Sequence, residues 1–220
     1  MSKEKILVTV DAVIFTIADG ELKALLIKRA GEPFEGYWAL PGGFIGKHEY
    51  AEKAILRVLK EKTGLEHMYV EQLYTFDSTH RDPRGHVITV AYFALASIEK
   101  MEFGHGKDVQ TPTLFSITKL PSLAFDHKDI VAYAVQRLRA KLEYTNVVYS
   151  LLPKEFALSE LQRAYEIILG RTLDKRNFLK KFRALNLIKP TSEVRRAGRA
   201  RPAQLYRFVS QKPSELKKFF

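Results

Sequence analysis

The sequence predicts an α+β protein in two parts: an α/β/α domain on a mixed sheet, then a smaller module of three short helices and a β-hairpin. Three observations predict it. Strand-like runs dominate residues 6 to 117, interrupted by a single amphipathic helix. From Tyr144 onward the pattern turns to short capped helices. The charge changes close by: residues 1–153 carry 19 Lys and Arg against 19 Asp and Glu, while residues 154–220 carry 17 against 6. The whole net charge of +11 therefore lies in the last third.

The elements follow in order. ILVTVDAVIFTI (6–17) and LKALLIKRA (22–30) are strands, rich in β-branched and aliphatic residues and joined by the turn Ala18-Asp19-Gly20. GFIGKHEYAEKAILRVLKEKTGL (43–65) reads as a glycine turn and then a helix from about Tyr50 to Thr63, stopped by Gly64. YVEQLYTF (69–76) and HVITVAYFALAS (86–97) are strands flanking a polar loop, DSTHRDPRG (77–85); TPTLFSI (111–117) is one more. Asp126 caps a helix to about Leu142, with Ile130, Ala134, Leu138 and Leu142 on one stripe. NVVYSLL (146–152) is a short helix ended by Pro153. Ser159-Glu160-Leu161-Gln162 is a capping box. It opens a helix with Leu161, Ala164, Tyr165, Ile168 and Leu169 inward, stopped by Gly170. Asp174 caps KRNFLKKFRAL, with Phe178, Phe182 and Leu185 inward. LIK (187–189) and LYRFV (205–209) are two strands around the basic loop PTSEVRRAGRARPAQ. The expected domains are 1–143, with 126–143 as a connecting helix, and 144–220.

Several classes are excluded. With 46% hydrophobic and 28% charged residues a packed core is expected. There is no apolar run near the ~20 residues of a membrane helix and no signal-peptide pattern, so a cytoplasmic protein without a membrane partner is expected. Cysteine is absent, which excludes disulfides and thiolate metal sites. A neutral body joined to a basic module suits a protein with one polyanion-binding part.

Gly43, Glu49, Arg57, Leu59, Glu61, Gly64 and Leu65 resemble the Nudix box, G-x5-E-x7-R-E-U-x-E-E-x-G-U. The resemblance implies a Nudix-like fold. It fails at two positions, where Val58 and Lys62 replace carboxylates. In the family, carboxylates on this helix face gather Mg²⁺, which polarises a diphosphate and activates water. Here Val58 cannot ligate, and Lys62 is expected to pair with Glu61 and occupy the ion's place. No catalytic residues, no metal and no cofactor are therefore assigned, although an active ADP-ribose pyrophosphatase remains an alternative.

The pocket itself is expected to persist. The resemblance gives an effector site of Arg29, Trp38, Gly42, Gly43, Phe44, Arg57, Glu61, Arg81, Asp82, Arg84 and His127. Arg81 and Arg84 suit phosphates through their forked donors, or are solvated loop residues. Trp38 stacks a base or sugar, or packs in the core. His80 and His127 read first as hydrogen-bonded structural groups.

Three helices and a hairpin describe a winged helix-turn-helix, whose third helix reads the major groove. Arg176 and Asn177 are candidates for base readout, matching guanine and adenine. Lys175, Lys180, Lys181 and Arg183 suit phosphates. Arg195, Arg196, Arg199 and Arg201 form the wing. RDPRGHVITVAYFAL, FDHKDI, YSLLPKEFALSELQRAYEIILG, LDKRNF and GRARPAQLYRF resemble the Nudix-related transcriptional regulators, the NrtR-like repressors of NAD-metabolism genes and their sugar-sensing relatives. That resemblance implies a homodimeric bacterial repressor that leaves double-stranded operator DNA when a metabolite fills the pocket. ADP-ribose is the expected effector, because RDPRG resembles ADP-ribose pyrophosphatases; a pentose is the alternative.

Overall fold

A computed structural model describes residues 5–101, 112–196 and 202–216. The chain divides into two compact units at Val135/Gln136, with the short turn Asp19–Glu21 grouped with the second. That point lies inside the helix expected to connect the domains, eight residues before the sequence boundary at 143.

The first unit opens with β1 (Leu7–Ala18) and β2 (Glu21–Lys28), then the short β3 (Trp38–Ala39) and β4 (Gly42–Phe44). Helix α1 (Ala51–Thr63) follows, then β5 (Tyr69–Phe76), β6 (Val87–Leu95) and β7 (Thr113–Ser116). Helix α2 (His127–Lys141) runs across the division. The sheet has the order β3-β2-β1-β6-β5, with β4 on β1 and β7 on β2. β1 and β6 are parallel, from Leu7 opposite Val87 to Phe15 opposite Leu95. Their neighbours β4 and β5 are antiparallel, so the sheet is mixed.

The central strands are nearly continuous apolar runs because both their faces are covered. One face of the sheet packs on α1. Val10, Ala12 and Ile14 of β1, at every second position, meet Ala54, Ile55, Val58 and Leu59 in a single core cluster. Gly64 ends α1 in the left-handed conformation (φ 74°), its N–H donating to the Lys60 carbonyl, a geometry a side chain would strain. The α2 stripe Ile130, Ala134, Leu138 and Leu142 is fully buried.

The second unit holds β8 (Phe156–Ala157), α3 (Leu158–Leu169), α4 (Lys175–Ala184), β9 (Ile188–Arg195) and β10 (Ala203–Phe208). The strands form a small sheet, β8-β10-β9. Aromatic rings fill its core: Tyr165 meets Phe178 edge-on at 5.3 Å and Phe182 at 5.9 Å, and Phe182 meets Phe208 at 6.4 Å. This is a winged-helix arrangement. Residues 147–150 are a single 3-10 turn.

Two caps differ from expectation. α3 begins one residue before Ser159, so Ala157 is its N-cap, and the Glu160 carboxylate accepts the Ala157 N–H at 2.7 Å. Glu160 thus supplies the half of a capping box that a third-position acid can supply. Asp126 precedes α2 but its carboxylate is committed to Arg81. Asp174 does cap α4, accepting from the Asn177 N–H at 2.8 Å. β9 also runs through Arg195, so the wing loop is shorter than the sequence suggested.

Candidate functional site

The first unit contains a cleft of about 280 Å³ lined by β1, β2, the β3–β4 turn, the end of α1 and the loops before α2. Asp11 of β1 lies at its floor, 6% exposed. A lone carboxylate inside an apolar strand is the sequence signal that marks this residue. Gly42 makes room for it: a Cβ there would lie 1.8 Å from Asp11 Oδ1. No side chain larger than hydrogen is compatible with Asp11 where it stands.

The polar wall of the cleft is a chain of ion pairs. Arg81 donates from Nε and Nη2 to both Asp126 oxygens, at 2.8 and 2.7 Å, and its Nη2 lies 3.7 Å from Asp11. The fork-on-fork geometry and low exposure, 3% and 17% for the two side chains, make this a buried pair. His127 is also buried. Its Nδ1 accepts the Leu40 N–H at 2.9 Å, and its Nε2 stands 3.6 Å from Asp11. Burial lowers its pKa from 6.5, against the opposing pull of Asp11 and Asp126, so the imidazole is neutral with its proton on Nε2.

The outer wall combines guanidinium and aromatic faces. Arg84 forks onto Asp82 (2.9 and 2.7 Å) and stacks over Phe44 at 5.2 Å and Phe125 at 5.6 Å. Arg29 covers Phe125 at 4.8 Å and donates to the Pro33 and Gly31 carbonyls. Phe125 therefore contacts two guanidinium groups, and it is held at φ 54°, a conformation rare outside glycine. Burial and then the neighbouring Arg84 charge pull the Arg29 pKa down. Burial pushes Asp82 up, but the Arg84 hydrogen bonds and charge outweigh it and leave the carboxyl below its usual value.

Of the residues expected at the effector site, Arg29, Gly42, Gly43, Phe44, Arg81, Asp82, Arg84 and His127 line the cleft together. Three do not. Trp38 packs edge-on against Phe115 at 4.7 Å. Arg57 clamps the glycine loop, donating to both Glu49 oxygens (2.7 and 2.8 Å) and to the Phe44 carbonyl. Glu61 is turned toward Arg57 at 3.2 Å. The Arg57 bond and the Gly46 N–H hold Glu49 down at a pKa of about 2.

The expected shared face of positions 58, 61 and 62 is also revised. Val58 is 1% exposed and belongs to the α1 core cluster. Lys62 lines the cleft and does not pair with Glu61. Residues 61 and 62 are consecutive, roughly 100° apart around the helix, so one turns to Arg57 and the other to the cleft. Burial is the largest influence on Lys62 and lowers its pKa, with Asp11 opposing. Asp11, Phe125 and Lys62 are among the cleft residues missing from the expected set, with Lys28 and Glu32 of the β2 side. His80 lines a second cavity of about 610 Å³ that shares Arg81 and Phe125 with the first.

In the second unit Lys175, Arg176, Asn177, Lys180, Lys181 and Arg183 are all exposed on α4, while Phe178 and Phe182 are buried. The helix thus presents a basic face. Arg195 is exposed but engages Glu160 at 2.7 Å and the Glu155 carbonyl; Arg196 is exposed beside it. Arg199 and Arg201 lie outside the described residues. No helix among the described residues is long and apolar enough to cross a membrane.

Comparison with known proteins agrees with both units. Residues 7–134 match the Nudix domain family, and residues 148–208 match the NrtR DNA-binding winged helix domain. The chain is 42% identical over 209 residues to the ADPR responsive transcriptional repressor NtrR of Acinetobacter baylyi, covering 93% of this chain and 83% of that one. It is 40% identical over 124 residues to an ADP-ribose pyrophosphatase of Methanocaldococcus jannaschii, covering 56% and 70%. Shewanella oneidensis NrtR, solved with a 27mer DNA, superposes with a TM-score of 0.81 at 38% identity, covering 91% and 93%. The Nudix domain of that protein, solved with ADP ribose, superposes with a TM-score of 0.56 at 41% identity, covering 61% and 90%.

Proposed function

Because the chain belongs to the NrtR family, in which a Nudix domain is fused to a DNA-binding winged helix, we propose that it is a transcriptional repressor that leaves its operator when ADP-ribose binds the Nudix cleft. The observation that carries this is the pairing, in one chain, of a cationic, aromatic-walled cleft with an exposed basic helix. The cleft chemistry suits a nucleoside diphosphate sugar: a lining rich in cationic side chains for phosphate, and Phe44 and Phe125 for a ring. The solved relatives carrying DNA and ADP ribose support the same assignment. Target genes of NAD metabolism follow from the family resemblance.

The working state is a homodimer acting in the cytoplasm on two half-sites about one helical turn apart. Arg176 and Asn177 read bases, while Lys175, Lys180, Lys181, Arg183 and the wing contact phosphates. Helix α2 is the coupling element. Its first residue, His127, lines the cleft, and the helix continues past the division between units. Effector binding must favour one dimer geometry over another to release DNA.

The test is operator binding by fluorescence anisotropy with and without ADP-ribose. A coupling of ~1–3 kcal/mol weakens DNA binding ~5–150-fold. Unchanged affinity with ADP-ribose but release by arabinose would reassign the effector to the pentose class. Turnover of ADP-ribose with Mg²⁺ at ordinary rates, ~1–10³ per second, would make the protein an enzyme.

A further inference from the structure

The Nudix fold implies a divalent metal held by carboxylates of α1, and the residues present here do not fit one. Val58 is packed in the core. Glu61 and both Glu49 oxygens are engaged by Arg57, and Gly46 adds a second donor to Glu49. Among the described residues no group of three or more His, Asp or Glu is placed to hold a metal ion. A hard dication needs several oxygen ligands, and this helix offers the cleft none.

It offers an ammonium group instead. Lys62 lines the cleft together with Asp11, Gly43, Arg29 and Arg84. The guanidinium groups of the lining are already committed, Arg81 to Asp126, Arg84 to Asp82 and Arg29 to two backbone carbonyls, which leaves Lys62 of α1 and Lys28 of β2 as its lysines. No carboxylate among the described residues closes an ion pair with Lys62, whose natural acid partner on α1 faces Arg57. A half-buried ammonium has lost part of its hydration, and an incoming polyanion restores what was lost.

We propose, building on the effector reading above, that the Lys62 ammonium takes the place of the catalytic metal and binds the diphosphate of the effector directly, making recognition independent of divalent ions. One residue then accounts for two properties. Lysine supplies a point charge and three donors to the phosphate oxygens, which is enough for affinity. It is not a Lewis acid and does not bring a bound water down to a nucleophilic pKa, so the phosphoanhydride survives. The effector is held and not consumed.

Calorimetric titration of the full-length protein tests this with ADP-ribose, ADP, inorganic diphosphate and adenosine, each in Mg²⁺ and in EDTA. The expected result is the same affinity for the diphosphates in both buffers. Lys62→Met keeps the length of the side chain. It should weaken ADP-ribose and ADP about 10- to 100-fold, the range of a charge-assisted contact, and leave adenosine unchanged. Lys62→Arg should recover most of the loss. Loss of wild-type binding in EDTA, or K62M binding ADP-ribose as the wild type does, overturns the proposal while the effector reading stands. Wild-type protein that binds none of the three diphosphates overturns both.

Discussion

The Arg81–Asp126 pair should behave as a unit, and its energetics can be worked from its burial. The side chains are 3% and 17% exposed and meet through two bonds of 2.8 and 2.7 Å. Removing one partner of such a pair leaves an uncompensated charge, at a cost of about 3–5 kcal/mol. Asp126→Leu strands a guanidinium that retains only Asp11 at 3.7 Å, so about 3–4 kcal/mol is expected. Arg81→Met strands a carboxylate that water partly reaches, so about 2–3 kcal/mol is expected. The double variant removes both charges and both desolvation penalties. It should sit within about 1 kcal/mol of wild type, whereas independent losses would add to about 5–7.

The assay is urea unfolding followed by tryptophan fluorescence. Trp38 is the single tryptophan and lies in the first unit, so the signal reports that unit and not the winged helix. A double variant as unstable as the sum of the singles, or single losses below about 1 kcal/mol, would refute the account of a buried, coupled pair. Binding is a separate readout: Arg81 lines the cleft, so the refolded double should still lose ADP-ribose affinity.

Other outcomes follow from the same geometry. Gly42→Ala places a carbon 1.8 Å from Asp11 Oδ1; it should cost about 1–3 kcal/mol in the same urea assay and abolish measurable ADP-ribose binding. Acid stability should fall in two stages. His127, with its pKa lowered from 6.5, contributes stability that is complete above 6.5 and is lost as pH falls below it; Glu49, lowered from 4.5 to about 2, contributes stability present above 4.5 and lost toward pH 2. Urea midpoints against pH should show both, and Glu49→Gln should shrink the second stage, which Asp82 shares, and leave the first unchanged. Asp174→Ala removes the α4 cap, about 0.5–2 kcal/mol, and should weaken binding to every DNA sequence in anisotropy titrations. Arg196→Ala should reduce the salt slope of DNA binding by about 0.9, and Arg195→Ala by less, since Arg195 is partly held by Glu160.

What the sequence discloses about this fold depends on element length. β1, β6 and α1 are long enough for their periods to be read, and the aromatic interior of the winged helix follows from Phe178 and Phe182 spaced by four. β3 and β8 have two residues and β4 has three, too few for any alternation to register. They form because longer neighbours offer them partners. The same limit explains the cleft. Gly42 and Gly43 announce themselves as a local motif, but Asp11 becomes a site residue only when β4 pairs antiparallel with β1, setting Asp11 opposite Gly42. Phe125 enters through a left-handed backbone that no spacing rule anticipates.

Helical spacing misleads in a more specific way. Equal membership of a face does not mean equal depth or equal partners. Val58 and Lys62 are four apart, roughly 40° around the helix, yet one fills the core and the other lines the cleft. Arg57 completes the effect by drawing Glu49 and Glu61 to itself. The two acids that this chain keeps from the Nudix box are thereby used to hold the glycine loop against α1. The box residues brace the cleft mechanically, and the charge that this helix presents to the cleft is the positive one of Lys62.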